Sequence, residues 1–293
     1  MNMHISASSR QRGALAVLAM PAVLFTAMMV VFPILYTIWL SFRTAPLGHA
    51  TQFVGFANYA QLADSPQFWN SIKVSLTLYV ISLAMQLTGG TYLALLLFQA
   101  KRMPAILRSI LISPFMVPPV VVGMMFLIIL DPSLGAANWV LSLFGIAPSA
   151  WLASPEWVIP TVALIDTWQW MPFVALIVLG GLQSLPPSVY EAAKIDGAPP
   201  RLVFWRITLP LLLPTLATAA ILRTVDLLRF FDIIYVTTQG GPLNASDTLN
   251  IYGFHIGFEL FQFGYASALA MTLTAMVFGV VLALNRLRRA IDW

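Results

Sequence analysis

The 293-residue chain has no cysteine and only three histidines, His4, His49 and His255. A disulfide-stapled scaffold is therefore excluded, and neither a thiolate site nor a multi-histidine metal site can be assembled. Charge is also scarce: 9% of the residues are Asp, Glu, Lys or Arg, against roughly 25% in an ordinary soluble domain. That is too little to coat a soluble surface, which excludes both a cytosolic globular enzyme and a disordered chain. Nucleotide and hydrolase signatures are missing too. There is no GxxxxGK[ST] phosphate loop, no HExxH, no GxSxG and no GxGxxG followed by an acidic residue. The chain is not expected to be an enzyme on its own, and it is expected to need no metal or cofactor. No repeat of 20–50 residues and no low-complexity tract interrupts it.

What the chain has in abundance is apolar surface: 59% of its residues are hydrophobic and its mean hydropathy is +0.85. A membrane-crossing helix needs about 20 mostly apolar residues. Six stretches meet that length, at about 14–40, 72–98, 107–130, 157–182, 208–229 and 264–285. The sequence therefore predicts an all-α integral membrane protein, organised as one transmembrane domain over residues 1–293. The first stretch follows Arg10 and Arg12 as a signal peptide would. Its apolar run exceeds the roughly 7–15 residues of such a peptide, so it reads as a retained helix. Prolines 21, 33, 118, 119 and 172 fall inside the stretches, and neighbouring helices must then satisfy the freed carbonyls.

The positive charges are distributed unevenly. Arg10, Arg12, Lys101, Arg102, Arg108, Lys194, Arg201, Arg206, Arg286, Arg288 and Arg289 fall on one side of the six-span layout, eleven of the fifteen Lys and Arg residues. The other side has Arg43, Lys73 and Arg229 at helix edges, and the 131–156 connection has none. Lys and Arg collect in cytoplasmic loops, so both termini are expected in the cytoplasm. The formal charge of +4 is then a topology signal, and no nucleic-acid partner is expected. Residues 133–145 fit a short interfacial helix anchored by Trp139. Residues 230–263 are long for a plain connection and are expected to be partly structured.

The most informative stretch runs from Pro187 to Pro214, PSVYEAAKIDGAPPRLVFWRITLPLLLP. Ser188 and Glu191 have capping-box spacing, which predicts a helix start. Glu191, Ala192, Ala193 and Lys194 favour helix. Gly197 stops it and Pro199-Pro200 prevent simple continuation. Arg201–Ile207 restarts as a second turn into the fifth span. Ala192, Ala193 and Ala198 would leave a small-residue surface for close approach by another protein. Physically, this is either an ordinary amphipathic loop helix or a docking element.

Within that stretch, Glu191-Ala192-Ala193, Gly197, Ile207, Leu209 and Pro210 resemble the EAA motif of permease subunits of binding-protein-dependent ABC importers, with every spacing matched. The resemblance extends over nearly the whole chain. The stretch 229–242, RFFDIIYVTTQGGP, and the later GYASAL at 264–269 resemble the carbohydrate branch, relatives of the maltose and glycerol-phosphate permeases. The resemblance implies a type I importer fold in the cytoplasmic (inner) membrane. It implies that Glu191, Ala192, Ala193, Asp196 and Gly197 form a coupling helix that docks on a separate ABC ATPase dimer. Asp196 has a second reading, as a cap for the following turn. The implied partners are that ATPase dimer, a second related permease, an extracytoplasmic sugar-binding protein and the lipid bilayer. ATP is used by the partner, and the cargo moves by alternating access.

Ionisable residues inside membrane spans point to function by default. From the span edges, at ~1.5 Å per residue, Asp166 lies roughly 13 Å from one face and Arg223 roughly 22 Å from the other. Asp166, Gln169 and Trp170 share a helix face at i, i+3, i+4; they either combine hydrogen bonding with aromatic stacking, the two contacts a sugar needs, or reflect interfacial tryptophan placement with a helix–helix hydrogen bond. Arg223 and Asp226 at i, i+3 either line the substrate pathway or form an intrahelical ion pair that merely stabilises the span. Gly89-Gly90 and Gly180-Gly181 read as close helix-packing points. Gln239-Gly240-Gly241-Pro242 reads as a turn. Two rivals stand beside the sugar importer: the same ABC class with a polyol or glycerol-phosphate cargo, and an ion-coupled secondary carrier. The second would need broken, symmetry-related helices and has no use for an ATPase-docking segment.

Overall fold

A computed structural model describes residues 9–48, 50–100 and 104–291. His4, His49, Lys101 and Arg102 lie outside the described residues. Backbone contacts separate the chain into two units, one formed by residues up to Leu62 with Ile256–Met271, the other by Ala63–His255 with the remainder of the C-terminal helix.

In the first unit, helix α1 (Ser9–Ser41) is followed by two short antiparallel strands, β1 (Arg43–Thr44) and β2 (Gln52–Phe53), with Arg43 opposite Phe53. Side chains 17–36 of α1 are exposed throughout, as expected of an apolar helix whose solvent is lipid. Helix α2 (Ala57–Asp64) tethers the strand pair. Its buried Asn58 donates to the carbonyls of Ser41 (2.8 Å) and Arg43 (3.0 Å), and Tyr59 donates to the Ser41 hydroxyl (2.8 Å). The start of the C-terminal helix packs against β1 so closely that a Cβ at Gly264 would stand 1.9 Å from the Arg43 carbonyl oxygen. Only glycine is tolerated at such an approach.

The second unit is built on α3 (Pro66–Gln99). Ser65 caps it by accepting from the Phe68 amide, and Pro66 supplies a helical φ at its first position. After α3 come α4 (Ala105–Ile112), a 3-10 turn at Ser113–Met116, α5 (Pro119–Ile129) and α6 (Ala136–Leu143). Next are α7 (Val158–Ser184), α8 (Pro187–Ile195), α9 (Pro200–Val203), a π-turn at Phe204–Thr208 and α10 (Leu209–Leu228). The far end carries α11 (Asp232–Thr237) and α12 (Leu249–Phe254), and the C-terminal helix is α13 (Phe263–Ile291). Five of the predicted spans are single long apolar stretches, Val17–Ser41, Pro66–Gln99, Val158–Ser184, Pro200–Thr237 and Phe263–Arg289.

The stretch 107–130 departs from the expectation of one straight helix. It is two helical pieces, Ala105–Met116 and Pro119–Ile129, bent by 100°. Pro118 and Pro119 have no amide hydrogens to continue the ladder, and each biases the residue before it away from helix. A short helix does form within 133–145, as α6, with Trp139 64% exposed. At its base Asp131 accepts from the Leu134 and Ser133 amides, which hold its carboxyl below the usual range.

Helices α3, α7 and α10 form the centre of this unit. Leu93, Ala94 and Leu97 of α3 pack with Val174, Ala175, Val178 and Leu182 of α7 and with Leu212 and Ala219 of α10. In lipid this contact gains little from hydrophobic transfer and depends on close van der Waals fit. Gly90 provides that fit, because a Cβ there would lie 2.7 Å from Val174 Cγ1. Gly181 does the same against Thr215, whereas Gly180 faces open space and is not a packing point.

Candidate functional site

Two places in the second unit carry chemistry. The first is the segment after α7. Helix α8 starts at Pro187, with Pro186 at the cap position and no side-chain capping bond. The Ser188–Glu191 capping box predicted from sequence is therefore not formed. Proline preorganises the first turn instead, where a missing amide costs nothing. The helix ends at Gly197, whose φ of +67° is the left-handed conformation, and the Ala198 amide closes the turn on the Ala193 carbonyl at 2.9 Å. Glu191, Ala192, Lys194, Asp196 and Gly197 are exposed. Ile195 is 86% exposed, a large aliphatic chain with nothing over it in this chain. Ala193 is buried at 6%, so it holds α8 down and does not belong to the small-residue surface expected of the three alanines. Tyr190 adds a bond to Thr208 at 3.2 Å, which ties α8 to the π-turn that enters α10. The Asp196 side chain makes no cap to the following turn; the helix end is closed by backbone bonds.

The second place lies toward the opposite end of α7 and α10. Arg223 is 1% exposed and its guanidinium is engaged on every nitrogen. Nε donates to Gln86 Oε1 (2.8 Å), Nη1 to Asp226 (3.0 Å) and Nη2 to Asp166 (3.2 Å). Gln86 completes the circuit by donating to Asp166 at 2.5 Å. The Trp170 ring covers the guanidinium face, with its centroid 4.1 Å from Cζ, a cation–π contact strengthened by desolvation. Thus Asp166 and Trp170 do share a face, and it is turned onto Arg223. The expected Arg223–Asp226 pair within α10 exists, but it is one arm of an interhelical network that joins α3, α7 and α10. Burying a guanidinium in a membrane protein is tolerable only when it is paired and bonded in this way.

Gln169 goes elsewhere. It donates to the Val117 carbonyl at 2.7 Å, at the break between Ala105–Met116 and Pro119–Ile129. Pro118 biases Val117 to the extended conformation it adopts (φ −81°, ψ 131°), which takes its carbonyl out of the helical ladder, and Gln169 supplies a donor. Gln86, the acceptor for Arg223, was not singled out from sequence. The available signal is a glutamine in an apolar span, with no charged neighbour on its helix face to mark it.

The network borders a cavity of about 300 Å³ whose walls include Asp166, Trp170, Arg223, Asp226, Arg229 and Asp232. Asp226 is 53% exposed, and Arg229 and Asp232 are exposed as well. Nearby, residues 238–250 lock onto the start of α3. Buried Asp247 accepts from Gln67 and Ser71, Asn70 donates to the Asn244 carbonyl (2.9 Å), and the Leu249 amide donates to Ser75 (2.9 Å). Burial pushes the Asp247 carboxyl above its ordinary range, against the bonds from Gln67, the charge of His255 and the bond from Ser71. The QGGP turn lies here, with Gln239 and Gly240 both at positive φ. Among the described residues no cluster of three or more His, Asp or Glu is placed to hold a metal.

Residues 86–292 match the family of binding-protein-dependent transport system inner membrane components. The chain belongs to that family. Over 274 residues it is 34% identical to the trehalose/maltose transport system permease protein MalF of Thermococcus litoralis, covering 92% of each chain. It is 34% identical to the sulfoquinovosyl glycerol transport system permease protein SmoG of Agrobacterium fabrum, over 95% of this chain and 91% of that one. It is 31% identical to the sn-glycerol-3-phosphate transport system permease protein UgpA of Rhizobium meliloti, over 90% of each. Its fold is that of a permease in the crystal structure of a bacterial alginate ABC transporter, with a TM-score of 0.84 over 96% of both chains at 24% identity. The chain is thus a multi-pass inner-membrane permease subunit of an ATP-driven ABC importer. It is not an enzyme; a separate ATPase hydrolyses ATP, and the family works with a binding protein. This membership removes the ion-coupled carrier.

Proposed function

We propose that this permease passes a carbohydrate through the cavity bordered by Asp166, Trp170, Arg223 and Asp226, by alternating access. The observation that carries the reading is the guanidinium of Arg223, buried beneath Trp170 and bonded at each nitrogen to Gln86, Asp166 or Asp226, beside a cavity where exposed carboxylates and aromatic rings meet. Carboxylates accept from hydroxyl groups and aromatic faces accept the C–H faces of a sugar ring. The relative named for trehalose/maltose supports the cargo class, while SmoG is named for sulfoquinovosyl glycerol and UgpA for glycerol 3-phosphate.

The exposed end of α8, from Glu191 to Gly197, is the contact with the ATPase dimer. A short helix with a fixed glycine turn and a Tyr190–Thr208 tether can act as a lever on α10. Both termini and α8 face the cytoplasm, on the positive-inside distribution of charge. The pathway is shared with a second, related permease, and a sugar-loaded binding protein docks on the side of residues 230–263. Uptake by the assembled transporter in proteoliposomes tests the pathway. Trp170→Ala and Arg223→Gln should reduce uptake at least tenfold while the ATPase still co-purifies. Undiminished uptake would remove these residues from the path. Glu191→Ala tests the other end: it should weaken ATPase co-purification and leave the cavity intact.

A further inference from the structure

The proposed cavity is equipped to refuse anions, and we infer that the cargo of this permease is an uncharged saccharide, excluding uronates, sulfonates and phosphate esters. The inference rests on the cargo reading above and concerns the same cavity. Binding an anion in such a cavity calls for a guanidinium fork presented to the ligand. Arg223 does not present one. Its Nε, Nη1 and Nη2 are each committed to a protein acceptor, and its face is closed by Trp170.

Arg229 is the other guanidinium on the wall, and it is exposed. It shares the wall with Asp166, Asp226 and Asp232, so the lining carries three negative and two positive groups, a formal charge of −1. Asp232 also occupies the first turn of α11, which adds a negative charge at that end of the helix. A negatively charged cargo would face Asp226 and Asp232 across the cavity, and like-charge juxtaposition of this kind is selective. A neutral polyol face meets the opposite situation. The oxygens of Asp226 and Asp232 accept from hydroxyls, Arg229 donates, and Phe230 and Phe231 on the wall offer apolar surface.

The test is binding to the permease–ATPase complex in nanodiscs, without the binding protein and its own selectivity. The probes are methyl α-D-glucopyranoside and methyl α-D-glucuronide, which differ only in CH2OH against carboxylate, followed by saturation-transfer NMR. The glucoside should bind about tenfold or more tightly than the glucuronide. The pair Asp226→Asn and Asp232→Asn should narrow that ratio to below about threefold by strengthening glucuronide binding, and high salt should narrow it in the unmodified protein. Both carboxylates are exposed, so loss of folding is not expected, and monodisperse elution of the variant complex verifies it. Trp170→Ala should weaken both probes. Glucuronide binding as tight as glucoside binding, or a ratio unmoved by the two Asn substitutions, overturns the inference while Trp170-dependent binding leaves the cargo reading standing. Absence of Trp170-dependent binding for either probe overturns the cargo reading and the inference with it.

Discussion

Replacing Arg223 with methionine removes the one group that joins Gln86, Asp166 and Asp226. Asp166, at 0% exposure, is then left with Gln86 as its remaining partner. Stranding one member of a buried ion pair costs about 3–5 kcal/mol, and an acidic group at the centre of a membrane helix costs about 2.5–3.5 kcal/mol. Neutral interhelical hydrogen bonds in membranes average only about 0.6 kcal/mol. The stranded charge therefore dominates, and Arg223→Met is expected to destabilise the chain by about 3 kcal/mol. Asp166→Leu leaves Arg223 with Gln86 and the half-exposed Asp226, so its cost should be smaller, about 2 kcal/mol. In the double variant neither charge is stranded. Its stability should exceed that of Arg223→Met alone, which corresponds to a coupling energy of about 3 kcal/mol. Uptake should remain lost in all three variants, because the cavity wall has lost its polar groups. Unfolding of the purified chain in mixed micelles gives the three stabilities, and proteoliposomes give uptake. Coupling below about 0.5 kcal/mol would refute the network as an energetic unit. Return of uptake in the double variant would refute its part in transport and leave it a structural clamp.

Gly197→Ala introduces no clash, since no atom lies within 4 Å of the new Cβ, but it forces alanine to a φ of +67°. The α8 terminus should lose about 1–2 kcal/mol, and ATPase co-purification should fall while cargo binding is unchanged. Gly90→Leu drives a side chain into Val174 and Ala175 and should cost at least about 1–3 kcal/mol in chemical unfolding of the whole chain. For Asp247 the raised folded pKa means that the folded chain holds its proton more tightly than the unfolded chain does. Stability should therefore fall as pH rises from the ordinary value of 3.8 through the raised one. Asp247→Asn should flatten that part of the pH–stability profile, and an unchanged slope would refute the assignment. Gln169→Leu should unpin the Val117 carbonyl and increase amide exchange around residues 114–120, with little effect on ATPase association.

The sequence alone determined features that are local along the chain. Span lengths follow from runs of apolar residues, and the α8 stop follows from a glycine that can take positive φ. The EAA segment is likewise a matter of spacing. The capping box failed because proline at 186 and 187 already fixed the first turn, a local competition between two start devices. The break near Pro118 was present in the prolines, but the donor to the Val117 carbonyl there, Gln169, comes from 52 residues away. Only the tertiary structure decided the partners of Arg223. Asp166 and Gln86 are separated from it by 57 and 137 positions. Helical periodicity specifies which residues share a face of one helix; it does not specify which face of another helix that face will meet. The choice is made by how closely α3, α7 and α10 pack and at what rotation, through contacts such as Gly90 against Val174. The pair that looked intrahelical therefore became a three-helix network, and the charge left in the cavity was fixed by which groups that network consumed.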